Sequence, residues 1–103
     1  MKKLEDIFSL ELIQRAINVE QEFGINMKKF TDTINKFGGV KTAKEIIKKG
    51  QTSQGFDTLC EKDRLELSME ELVTESKFGE LFTDDEVNYC FALLCENNFY
   101  KLK

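Results

Sequence analysis

Asp63 and the tripeptide Glu75-Ser76-Lys77 carry the residue types that a metal-dependent nuclease gathers at strand ends, carboxylates to hold the ion and a lysine beside them. Glu75, however, closes a segment opened by a helix-capping sequence, so a helix is expected there and the nuclease arrangement is set aside. Asp84, Asp85 and Glu86 do not alternate as the ligands of a calcium loop do, and are expected to interact with the positive N-terminal end of the last helix. Cys90 is a nucleophile by residue type but falls on an apolar helical stripe, which points to packing. Gly38-Gly39 lacks the Lys-Ser/Thr of a phosphate-binding loop and follows a helix rather than a strand, so it reads as a helix–helix turn. The chain contains no histidine, which removes Ser-His-Asp and Cys-His catalysis and histidine-ligated zinc. The expectation is a non-enzymatic protein with no catalytic residue, no metal site and no cofactor.

The elements that would position these residues are all helical by pattern. Leu10, Ile13, Ile17 and Phe23 recur at helical spacing after Ser9, predicting a first helix capped by Ser9 and ended near Gly24. Met27, Phe30, Ile34 and Phe37 form the inward stripe of a second helix, stopped by Gly38-Gly39. A third carries Val40, Ala43, Ile46 and Ile47 inward, with Lys41, Lys44, Lys48 and Lys49 mostly outward and Gly50 as its stop. The polar stretch from Gly50 to Gly55 reads as a loop, with Ser53 a cap for a short helix through Phe56, Leu59 and Cys60. Leu65 and Leu67 alternate with Arg64 and Glu66, too briefly to assign a strand. Ser68-Met69-Glu70-Glu71 and Thr83-Asp84-Asp85-Glu86 have the form of two capping boxes, the second opening a helix with Val87, Cys90, Phe91 and Leu94 inward and an end at Asn97-Asn98.

With 103 residues, nine Phe, no Trp and no Pro, the chain is expected to be one all-α domain spanning residues 1–103, a compact bundle of about five or six short helices. A chain of this size buries roughly 65% of the surface its unfolded form exposes, enough for a single modest core. Cys60, Cys90 and Cys95 are odd in number and lack C-x-x-C spacing, so they read as reduced thiols. Acidic residues follow the N-terminal lysines before any apolar run, and no 18-residue apolar stretch occurs, so a cytoplasmic protein without membrane contact is expected.

The run Phe37-Gly38-Gly39-Val40 with Ala43-Lys44, then Ser53-Gln54-Gly55-Phe56 with Leu59, then Arg64-Leu65-Glu66-Leu67 with Glu70 and Leu72-Val73, then Leu81-Phe82-Thr83 with Glu86, resembles an uncharacterised bacterial all-helical domain family. The resemblance covers residues 20 to 100 and rests on four motifs in order, GGVxxAK, SxGFxxL, RLxLxxExLV and LFTxxE. It implies a shared helical fold and assigns no catalytic residue. The chain departs from the pattern at Asp63 and at Thr74-Glu75-Ser76.

Charge is the remaining functional signal. Residues 1–52 hold ten basic and seven acidic side chains, and residues 53–103 hold five and twelve. Such segregation orients a charged partner. Two binding readings follow. In the first, the acidic segment 57–86 docks on a basic protein that handles nucleic acid, in the manner of an inhibitor or immunity protein, through Glu61, Asp63, Glu66, Glu70 and Glu71. In the second, the segment 28–49, with seven lysines against Asp32 and Glu45, binds nucleic acid through Lys41, Lys44 and Lys48. Its helices carry no arginine, which argues against reading of base edges.

Overall fold

The structure, a computed structural model, describes residues 3–97. Among these residues it contains six α-helices, α1 (Leu4–Phe23), α2 (Lys28–Phe37), α3 (Gly39–Lys48), α4 (Phe56–Glu61), α5 (Met69–Thr74) and α6 (Asp84–Glu96). Two 3-10 segments, Leu65–Leu67 and Ser76–Leu81, complete the element order, and no strand is present among the described residues. The fold is all-α, as the periodicity requires. The Leu65/Leu67 alternation belongs to a single 3-10 turn that leads directly into α5.

The first helix corrects the sequence reading in two respects. Phe8, Leu12, Ala16 and Val19, at offsets 0, 4, 8 and 11, form its buried face, whereas Leu10 is 49% exposed and Ile17 41% exposed. Both stripes have helical spacing; the one with Phe8 wins because that ring fills the centre of the molecule. Its contacts with Phe78 and Phe82 are edge-to-face at 5.1 and 5.2 Å between centroids, the favourable geometry for aromatic quadrupoles. Ser9 is therefore interior to α1 and does not cap it. Its hydroxyl donates to the Glu5 carbonyl (3.1 Å) and accepts the Gly39 amide N–H at 2.7 Å. Gly24 ends the helix as expected, in the left-handed region at φ 70°.

The contact between Ser9 and Gly39 sets how closely α3 approaches α1. A Cβ at residue 39 would lie 2.9 Å from both Cα and Oγ of Ser9 and 3.1 Å from the Phe8 ring. Backbone cannot yield as a flexible side chain does, so Gly39→Ala is expected to cost about 2 kcal/mol, the usual penalty of overpacking. Gly79→Ala, where a Cβ meets nothing within 4 Å, should be close to neutral. Urea unfolding of the two variants checks the pair, and equal midpoints would contradict the close approach.

The remaining elements close around this centre. Leu59 from α4, Leu72 and Val73 from α5, and Cys90 and Leu94 from α6 are buried with Phe78 and Phe82. Thr83 forms the complete capping box, its hydroxyl accepting from Glu86 N (3.2 Å) while the Glu86 carboxylate accepts from Thr83 N (2.8 Å). At Ser68 only half of the expected box forms: the hydroxyl accepts from Glu71 N, but the Glu71 carboxylate turns away to Arg15. Two residues placed inward by spacing are instead half exposed, Phe37 at the end of α2 and Phe91 on α6. The predicted end of α6 falls at Asn97; Asn98 lies outside the described residues. No helix of the described residues is long and apolar enough to cross a membrane.

Candidate functional site

The structure disperses the acidic set. Glu70 is fully buried, which removes it from any docking surface. Its carboxylate accepts from both the backbone N–H and the hydroxyl of Ser53, each at 2.7 Å. The cause lies in the loop between α3 and α4: Ser53, expected as a helix cap, is buried with two donors that need an acceptor, and Glu70 on the first turn of α5 supplies it. Desolvation raises the Glu70 pKa above its ordinary 4.5, against the lowering effect of the Ser53 bonds.

Glu71 is also tied down, pairing with Arg15 at 2.7 Å. Glu66 pairs with Arg64 at 2.6 Å, and the same guanidinium engages Glu22. Glu61 and Asp63 are exposed, Asp63 with its backbone at φ 59° just after α4. The carboxylates counted as one face thus divide between the interior, two arginine pairs and a turn.

The basic segment is organised differently. Lys44 reaches across to α6, where its ammonium lies 2.7 Å from the Glu86 carboxylate and 5.3 Å from the Phe82 centroid. Desolvation is the largest single influence on Glu86 and opposes its ionisation, but the bonds from Lys44 and Thr83 and the charge of Lys44 together outweigh it, holding that carboxyl below the ordinary range. Lys44 is therefore a tie between α3 and α6 rather than a ligand-facing group. Lys41 and Lys48 are exposed. Lys29, Lys36 and Lys49, not singled out from the sequence, join them on the same pair of helices, and none of these five has a carboxylate partner among the described residues.

Between α2 and α3 runs an open groove of about 510 Å³. Phe30, Phe37 and Ile46 provide apolar lining, Lys29, Lys41 and Lys49 provide positive charge, and Glu45 is the one acidic residue in it. Gln51 and Gln54 complete the lining, with the Gln54 amide donating to the Asn26 carbonyl at 2.6 Å. Phe37 stands at the last residue of α2, immediately before the turn at Gly38, so its ring overhangs the groove and is 50% exposed. The ammonium groups of Lys36 and Lys41 lie 5.3 and 5.6 Å from its centroid. Such exposed cation–π contacts are worth roughly 0.5–1 kcal/mol each.

The groups considered for chemistry are accounted for by structure. Burial pushes the Cys90 thiol up to about 12, with smaller contributions from Glu70 and Glu86, so it stays protonated and unreactive near neutrality. Glu75 is paired with Arg15 at 2.5 Å, and Lys77 with Glu11 at 3.1 Å. Asp84 and Asp85 sit in the first turn of α6, where the helix dipole favours negative charge. Among the described residues no three Cys, Asp or Glu side chains gather in a way that could hold a metal ion. In comparisons with known proteins, no family model, no curated protein and no solved structure matches this chain.

Proposed function

We propose that the protein is a non-enzymatic binding module that holds nucleic acid by its phosphate backbone, through the lysine-bearing face of α2 and α3. The observation that carries this reading is the set of five exposed lysines, Lys29, Lys36, Lys41, Lys48 and Lys49, without carboxylate partners among the described residues of a chain whose net charge is −4. Two other lysines of the same segment are neutralised by pairing, Lys28 with Asp32 and Lys44 with Glu86. Unpaired ammonium groups on two adjacent helices release counterions when they meet phosphates, which supplies affinity without sequence selection. The absence of arginine from α2 and α3 agrees with backbone contact rather than base reading. Docking of an acidic face on a basic protein is the weaker reading on this geometry, because three of its five carboxylates are buried or held by arginine.

Fluorescence anisotropy with labelled 20-mers at ~50 mM salt tests the proposal. Lys29→Gln, Lys41→Gln and Lys49→Gln combined should weaken binding more than tenfold and flatten the dependence of log K on log salt by about 2, the loss of three phosphate contacts. Lys44→Gln, which removes the tie to Glu86, should leave the salt slope unchanged. Failure of the wild-type protein to retain any oligonucleotide at that salt would overturn the reading.

A further inference from the structure

Phe37 is unusual among the large apolar side chains of α2. Phe30 and Ile34 are buried on the same helix, yet the last ring is half exposed, and it stands at the mouth of the groove rather than against the core. The ammonium groups of Lys36 and Lys41 stand within 5.6 Å of its centroid. A flat apolar surface ringed by ammonium groups matches one ligand chemistry especially well, a planar heterocycle linked to a phosphate. The charge arrangement is complementary in detail: Lys36 and Lys41 flank the ring, while Lys29 and Lys49 lie along the groove that leads away from it.

We infer that the α2–α3 groove is a single-strand nucleic-acid site in which one unpaired base stacks on Phe37 and the adjoining phosphates are held by Lys36, Lys41, Lys29 and Lys49. This rests on the nucleic-acid reading above and sharpens it, since phosphate contacts alone would serve a duplex equally. Stacking of a base on an aromatic side chain is stronger than the exposed ammonium contacts it displaces, and those ammonium groups are not lost; they swing a short distance to the phosphates. A duplex keeps its bases paired and offers no face to the ring. Gln51, which also lines the groove, offers its amide group to a base edge without imposing a particular base. Selectivity is therefore for strandedness and weakly, if at all, for sequence.

The wild-type chain has no tryptophan, so Phe37→Trp places a single indole reporter in the site while keeping an aromatic platform. Titration of this variant with fifteen-residue oligothymidylate should quench its emission and bind as tightly as wild type by anisotropy. Phe37→Leu, which keeps apolar bulk without a stacking face, should weaken oligothymidylate about tenfold or more and leave a blunt-ended hairpin duplex unchanged. Circular dichroism establishes that both variants fold, as expected for a half-exposed position at a helix end. Binding of strand and duplex with equal affinity, or an unaltered Phe37→Leu, would overturn the stacking site while leaving phosphate binding by the lysines intact. Absence of binding to either probe, or binding of polyglutamate instead, would overturn both.

Discussion

Glu70→Ala lowers stability by about 4 kcal/mol, whereas Glu70→Gln stays within about 1 kcal/mol of wild type near pH 5. The alanine leaves two buried donors of Ser53 without an acceptor, each costing roughly 1–3 kcal/mol, and opens a cavity besides. A loss of that size is a large fraction of the 5–15 kcal/mol by which domains are typically stable. Glutamine preserves both contacts, its carbonyl oxygen accepting from Ser53 N–H while its amide donates to Ser53 Oγ. Comparison across pH isolates the charge. Desolvation raises the folded-state pKa of Glu70 above 4.5, so its stabilising contribution is full below pH 4.5 and fades as pH rises through the folded value. Glutamine does not titrate there, and the stability of Glu70→Gln relative to wild type should improve steadily as pH rises from 4.5. A constant difference between the two from pH 4 to 8 would contradict burial of a titrating carboxyl. Lysine at this position would place an ammonium against two donors, and unfolding is expected.

The same residue shows why the fold was more legible than the site. Helical spacing, the glycines at 24 and 38 and the Thr83 box each act within a few residues, and each holds in three dimensions. Glu70 is decided by Ser53, seventeen positions away, and in a run of eleven acidic residues no local rule separates a buried carboxylate from a solvated one. Ser53 stands in SxGFxxL and Glu70 in RLxLxxExLV, the two halves of one hydrogen-bonded latch. Gly39 of GGVxxAK is the close approach to Ser9, and Phe82, Thr83 and Glu86 of LFTxxE are a core ring and the capping box. These motif positions hold the fold together. Phe37 evaded the spacing argument for a different reason: an apolar residue one turn beyond the last buried one continues the stripe in sequence, but the helix ends there, and the ring has left the core by the time α3 begins.

Arg15→Met lowers stability by about 3 kcal/mol at pH 7, and by roughly half as much at pH 4. One guanidinium nitrogen of Arg15 lies 2.7 Å from Glu71 and donates to the Ser68 carbonyl at 3.0 Å, while the other lies 2.5 Å from Glu75. This fork joins the middle of α1 to both ends of α5. Removing it leaves two carboxylates with like charge and takes one of two donors from the Ser68 carbonyl, which keeps the Leu72 N–H at 3.3 Å. Breaking a buried pair costs about 3–5 kcal/mol, and the lower end applies because these side chains keep 17–27% of their exposure. The pH effect follows from the carboxylates. Desolvation raises Glu71, aided by Glu75, so its contribution is present below pH 4.5 and lost as pH climbs through the folded value. Desolvation also opposes ionisation of Glu75, but its bond with Glu71 and the charges of Arg15 and Lys77 hold it low, so its contribution is present above pH 4.5 and lost as pH falls through the folded value. At pH 7 both are charged in the variant and repel; at pH 4 protonation of one relieves the repulsion. Arg15→Lys should fall between, since one ammonium cannot serve both carboxylates and the carbonyl with the geometry of a planar fork. Denaturant midpoints of the three proteins at the two pH values check this, and an equal penalty at both would mean that Arg15 acts through the packing of its aliphatic stem rather than through its charge.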